Sequence, residues 1–170
     1  MVDEAAFREF AQARTPPLHR AAFLLCGNHH EAEDLVQETL AKVYVAWGRR
    51  GVDNPAAYAR TVLTRTFISS RRKASSTERP TEWLPETATV GSDTAALMDL
   101  MDELRALAPV DRAVVVMRYL DDASVRDTAQ ALKLSEQAVR TRSSRALARL
   151  RTVLSAGVDD VAPIARGGTR

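Results

Sequence analysis

Apolar residues recur three and four positions apart along most of this chain, the spacing that lines one side of an α-helix. Residues 4–26 carry Phe7, Phe10 and Ala11 on one face and, beyond Pro16-Pro17, Leu18, Ala22 and Leu25. Prolines inside a helix remove backbone donors, so this stretch is expected to break or kink into two pieces. Gly27-Asn28 ends the second piece. From His30 to about Arg49, Val36, Leu40, Val43 and Trp47 fall at i, i+4, i+7 and i+11, a buried stripe. Residues 50–53 read as a loop. Asn54 caps the next helix, with Pro55 at its first position, where a missing N–H is harmless. Ala59, Val62, Leu63 and Thr66 share a face of that helix, with Phe67 at its border. Four helical pieces therefore predict one N-terminal bundle.

The period then stops. Residues 74–93 carry two prolines with Ser, Thr and Gly, the composition of a linker. Helical spacing returns over 94–107 through Leu97, Leu100, Met101 and Leu104, and a further helix is expected from Val110 to Tyr119. The triplet Val114-Val115-Val116 has strand character, but the flanking period and Met117 favour a buried helix. Ser124, three residues before Asp127, opens a capping-box-like helix through Leu132. Lys133-Leu134-Ser135 makes a short turn, and Ser135 caps a last helix that buries Val139, Ala146 and Leu150, stapled by Leu134 and Val139. Two short capped helices joined by such a turn read as a helix-turn-helix. Residues 156–170 read as a frayed tail.

Composition narrows the class. Of 170 residues, 45% are hydrophobic, 27% charged and 5% aromatic, as in a globular helical protein. No apolar run reaches the roughly 18 residues of a membrane span, so no membrane insertion is expected. The acidic start Met1-Val2-Asp3-Glu4 is unlike a secretory signal. A lone cysteine, Cys26, cannot close an internal disulfide and fits a reducing cytoplasm. Net charge is only +2, yet its distribution is uneven. Arg60, Arg65, Arg71, Arg72, Lys73 and Arg79 form one basic segment; Arg140, Arg142, Arg145, Arg149 and Arg151 form another. Between Glu31 and Glu38 the sign reverses: Glu31, Glu33, Asp34 and Glu38 with no base among them. Separate charged surfaces suit separate partners.

Three constellations carry candidate chemistry. On the last helix Gln137, Arg140, Thr141, Ser144 and Arg145 fan away from Val139, Ala146 and Leu150, at about 100° per residue. Arginine pairs with guanine edges, glutamine with adenine, and hydroxyls with phosphates or either, so this face suits a DNA major groove. Glu31, Asp34 and Glu38 sit at i, i+3 and i+7 beside Gln37. The positive helix N-terminus accounts for the first acids but not for Glu38, which leaves a cationic protein surface as the alternative. Tyr58, Thr61, Arg65 and Arg72 share a third face, with Arg60, Thr64 and Arg71 beside it. Either it is a solvated helix face or it meets phosphates and unstacked bases. Cys26, His29, His30 and Glu33 do not make a metal site, because adjacent histidines diverge on a helix and no second ligand cluster closes the geometry. No phosphate-cradling glycine loop or nucleophile elbow is present, so neither catalysis nor a cofactor is expected.

Ala32-Glu33-Asp34-Leu35-Val36-Gln37-Glu38 resembles the region 2 signature of extracytoplasmic-function sigma factors, small subunits of bacterial RNA polymerase in the sigma-70 family. Asn54-Pro55-Ala56-Ala57-Tyr58 is similar to the start of that family's next helix. Residues 107–112 with Arg118-Tyr119-Leu120 resemble the opening of region 4, and residues 129–135 with Val139-Arg140-Thr141-Arg142 resemble its helix-turn-helix. The likeness covers about residues 5–153. It implies an all-α chain of two small domains: region 2 over 1–73, a flexible linker over 74–93, region 4 over 94–155 and a tail over 156–170. It implies that Asp34, Gln37 and Glu38 dock on the β′ clamp helices of core polymerase, with the β subunit as a further contact. It implies that Arg49, Arg50, Asn54, Tyr58, Arg60, Thr61, Arg65 and Arg72 engage the minus-ten element, and that Gln137, Arg140, Thr141, Ser144 and Arg145 read the minus-thirty-five element. An anti-sigma factor is a further partner the family admits. Four positions depart from the family pattern: Arg65 stands for a usual Asn, Ser69 for Asp, and Lys133 and Gln137 for glycines. Lys133 must then accept a left-handed backbone, or the turn differs.

The expected function is promoter selection and assistance with DNA melting by a non-catalytic cytoplasmic subunit. The competing reading is an autonomous helix-turn-helix regulator acting as a dimer on a palindrome, which leaves the acidic helix without a role.

Overall fold

The computed structural model describes residues 3–48, 53–76 and 92–159. Helix α1 (Glu4–Cys26) starts at Asp3, whose carboxylate accepts from the Ala6 N–H at 3.0 Å. It ends at Gly27, left-handed at φ 75°, with the Gly27 N–H donating to Phe23 O at 2.7 Å. Asn28 accepts from the Glu31 N–H at 3.1 Å and opens α2 (His29–Ala46). Asn54 does the same for α3 (Pro55–Ser76) through the Ala57 N–H at 3.0 Å.

The expected break at Pro16-Pro17 does not occur, so the N-terminal bundle has three helices rather than four pieces. Two reasons are visible. The prolines orphan the carbonyls of Gln12 and Ala13, both exposed residues that water can reach. Downstream, Leu18, Ala21, Ala22 and Leu25 are buried against Ala32, Leu35, Val36, Leu63 and Phe67, and that packing holds the axis through the gap. Phe67, expected at the edge of its face, is in fact 1% exposed and central.

The C-terminal half comprises α4 (Ser92–Ala106), α5 (Pro109–Val115), α6 (Val125–Leu132) and α7 (Glu136–Asp159). The helices flanking the expected linker reach Ser76 and Ser92; residues 77–91 lie outside the described residues. Helix α7 runs on to Asp159, into what sequence suggested was tail. Leu97, expected inward, is 48% exposed, while Met101 and Leu104 are buried. After Val115 the helix widens to a π turn over Val116–Leu120, closed by the Asp121 N–H on Val116 O at 3.2 Å. Three successive valines thereby serve three clusters. Val114 packs with Ala129 and Val139, Val115 with Met101, Leu104 and Leu150, and Val116 with the N-terminal core.

The two halves meet. Ala113, Val116 and Leu132 join the N-terminal core, and Phe23 and Leu24 reach the Met101 cluster. Arg112, 7% exposed, lies at the junction. Its guanidinium donates to Leu25 O (2.6 Å), Arg105 O (2.7 Å) and Leu107 O (3.2 Å), and sits 5.6 Å from the Phe67 ring centre. Burial, with Arg71 nearby, pulls its pKa down to about 10, so it stays a cation at neutral pH.

Candidate functional site

On α2, burial of Ala32, Leu35, Val36 and Thr39 turns Glu33, Asp34, Gln37 and Glu38 outward, all exposed. Glu31 is drawn back to Arg71, whose guanidinium lies 5.5 Å from the Phe67 ring centre. Glu38 pairs with Lys42 at 2.7 Å, and the same ammonium donates to Thr66 Oγ1 at 3.0 Å. Glu38 thus gains a partner that the acidic pattern hid, although the i,i+4 spacing was legible. Asp34 has no ion pair among the described residues. It borders a groove of about 280 Å³ lined also by Cys26, Leu35, Ser70 and Arg71. Burial pushes the Cys26 thiol up to about 11, so it is neutral at pH 7. His29 goes elsewhere, stacked 4.4 Å from Phe23 and 5.7 Å from His19.

The α3 face assembles only in part. Tyr58 and Arg72 are exposed, Thr61 and Arg60 half-buried. Asn54 is exposed, with its side-chain oxygen committed to the cap. Thr64, expected beside this face, is 1% exposed; its hydroxyl donates back to Arg60 O and Thr61 O. Arg65 is exposed, yet its Nε donates to Ala131 O at 2.5 Å and Nη2 to Gln130 O at 3.3 Å, both on α6. Sequence grouping placed it with Tyr58 and Arg72, but the end of α6 claims its guanidinium. Asp121, its carboxyl pushed up by burial and lowered again by Arg60, lies on the same side. Arg49 and Arg50 lie outside the described residues. Between α2 and α3 opens a groove of about 460 Å³ lined by Glu38, Lys42, Val45, Ala46, Tyr58 and Val62. Val45, 64% exposed, stands out there as an apolar residue off the buried stripe.

The helix-turn-helix forms as its caps dictate. Ser124 Oγ accepts from the Asp127 N–H at 2.9 Å and donates to Asp127 Oδ2 at 2.7 Å. Lys133 takes the left-handed conformation (φ 55°, ψ 44°). Ser135 Oγ accepts from the Ala138 N–H at 3.0 Å. Helix α7 buries Val139, Ser143, Ala146 and Leu150 and leaves Gln137, Arg140, Ser144 and Arg145 exposed, with Thr141 half-buried. Its arginines divide. Arg142 braces α5 through Asp111 (2.6 Å) and Arg149 braces α4 through Glu103 (2.8 Å), while Arg140 pairs locally with Glu136 (2.9 Å). Among the described residues Arg145 has no ion pair, and its exposed guanidinium is free for an outside acceptor. No helix among the described residues is long and apolar enough to cross a membrane.

Family models for Sigma-70 region 2 and Sigma-70 region 4 match residues 10–77 and 97–150. An RNA polymerase sigma-E factor of Streptomyces coelicolor is 39% identical over 158 residues, covering 88% of this chain and 86% of the relative. The ECF RNA polymerase sigma factor SigM of Mycobacterium tuberculosis is 28% identical over 156 residues, covering 89% of this chain and 79% of its own. The sigma factor RpoE of Bartonella quintana, solved in complex with the anti-sigma factor NepR, shares the fold. Its TM-score is 0.70 at 24% identity, over 88% of this chain and 97% of that one.

Proposed function

Since this chain belongs to the extracytoplasmic-function sigma factors, initiation factors that direct bacterial core RNA polymerase to promoter DNA, we propose that it works by holding three surfaces on three partners at once. Residues 1–73 dock the β′ clamp helices through Asp34, Gln37 and Glu38, with the β subunit as a further contact. The segment Arg49–Asn54, with Tyr58, Arg60, Thr61, Arg65 and Arg72, engages the minus-ten element and captures melted bases. Residues 94–155 read the minus-thirty-five element through Gln137, Arg140, Thr141, Ser144 and Arg145. Residues 74–93 run along the path of exiting RNA. No covalent step falls to this chain, its place of work is the cytoplasm, and an anti-sigma factor is a natural antagonist.

The observation that carries this reading is the exposure of an acidic face on α2 and a basic face on α7, in different halves of the chain. An autonomous regulator needs only the second. Unstacking bases costs a few kcal/mol per step. Contacts between core enzyme and the acidic face offset that, so the free protein is expected to bind promoter DNA weakly. The test is Asp34→Arg, chosen because Asp34 has no ion pair to lose among the described residues. Core binding should disappear while helix content holds; unaltered affinity for core polymerase would refute the docking assignment.

A further inference from the structure

Helix α7 is basic except at its first residue. Arg140, Arg142, Arg145, Arg149 and Arg151 follow Glu136, and no further acid stands before Asp159. Glu136 is exposed at the end of the helix that carries Gln137 and Arg140, and its Oε2 accepts from Arg140 Nη2 at 2.9 Å. The two side chains are 48% and 56% exposed, so the pair adds little to stability. Its carboxylate also has the wrong sign for an approaching duplex. The acids that hold Arg142 and Arg149 belong to α5 and α4, whereas Glu136 places its charge on α7 itself, beside a cation of the exposed face.

The helical period gives this acid a use. Four residues turn by about 400°, so Glu136 lies about 40° further round α7 than Arg140, on the side away from Thr141 and Arg145. When Gln137, Thr141 and Ser144 face the floor of a major groove, the flanks of the helix run beside the phosphates. An arginine on such a flank meets two kinds of acceptor, a phosphate oxygen and the edge of a guanine, and only the second carries sequence. A carboxylate on the phosphate side of the guanidinium repels the first acceptor and leaves the second. Without it, the arginine takes a phosphate on any sequence.

We propose that Glu136 is a positioning residue that sets specificity: it keeps the Arg140 guanidinium off the DNA backbone and aims it at a base edge. Affinity is given up for discrimination, as wherever a repulsive contact rejects wrong partners. This rests on the assignment of the exposed face of α7 to the minus-thirty-five element. The test assembles the full chain with core polymerase, selects bound sequences from a pool of random duplexes, and measures affinity for the selected sequence across a range of salt. Wild type, E136A, R140A and E136A/R140A are compared. Wild type should prefer guanine at one base pair, and R140A should erase that preference without changing the salt slope. E136A should flatten the same preference by about tenfold and raise binding to other sequences. It should also steepen the slope of log affinity against log salt by about 0.9, one added phosphate contact, and adding R140A should remove that increment. A role confined to stabilising the positive end of α7 moves only the melting temperature, so unchanged preference and slope in E136A overturn the proposal. If R140A erases the preference and E136A does not, Arg140 reads DNA unaided and the proposal alone falls. If R140A changes neither preference nor affinity, the assignment of Arg140 to DNA falls, and the role of Glu136 with it.

Discussion

Lys133 shows how a single residue carries a local cost that another would not. It caps α6 at φ 55°, where a β-carbon is strained by about 1–2 kcal/mol and glycine is not. Lys133→Gly is therefore expected to stabilise the chain by up to about 1 kcal/mol, after the greater flexibility of glycine in the unfolded state is set against the relief; thermal melting checks it. Cys26 makes a different prediction. Its thiol ionises at about 11 in the folded chain against 9.0 ordinarily. Between those values the unfolded chain loses the proton while the folded one keeps it, so stability is whole below pH 9 and falls as pH rises toward 11. The loss reaches about 2–3 kcal/mol, from about 1.4 kcal/mol per pK unit. Denaturant titrations across that range should show the decline in wild type and a flatter profile in Cys26→Ala.

At the scale of elements, α7 separates arginines left exposed from arginines that brace its neighbours. Arg145→Ala should weaken binding to the minus-thirty-five element by about 1–3 kcal/mol if it meets a base edge, and a loss equal across all sequences would mark a phosphate contact instead. Arg149→Ala removes only a half-exposed pair with Glu103, worth no more than about 1 kcal/mol of stability. Promoter affinity should stay within about twofold. Sequence alone exposed the proposed recognition face, because helical spacing fixes which residues oppose Val139, Ala146 and Leu150. It also exposed the caps at Gly27, Asn54, Ser124 and Ser135, since each depends on residues at most four apart. It could not place Arg142 or Arg149, whose carboxylates lie 31 and 46 positions away. Pro16-Pro17 misled for the same reason: local chemistry argues for a break, and distant packing overrules it.

For the molecule as a whole, the resemblance identified the family and its two regions, but nothing in the pattern disclosed that the regions cap one another's helices. Arg112 joins them, with acceptors on α1 and around the end of α4. Arg112→Leu leaves those carbonyls unpaired, at about 1–3 kcal/mol for each that water cannot reach. Calorimetry should then resolve two unfolding events where wild type shows one, as the halves lose their common support. The valine triplet sets a different limit. Since Val114, Val115 and Val116 anchor three separate clusters, deleting one codon among them would swing every later side chain by about 100° and misalign all three at once. Among natural variants of this chain, that stretch should accept changes of side-chain size yet refuse changes of length.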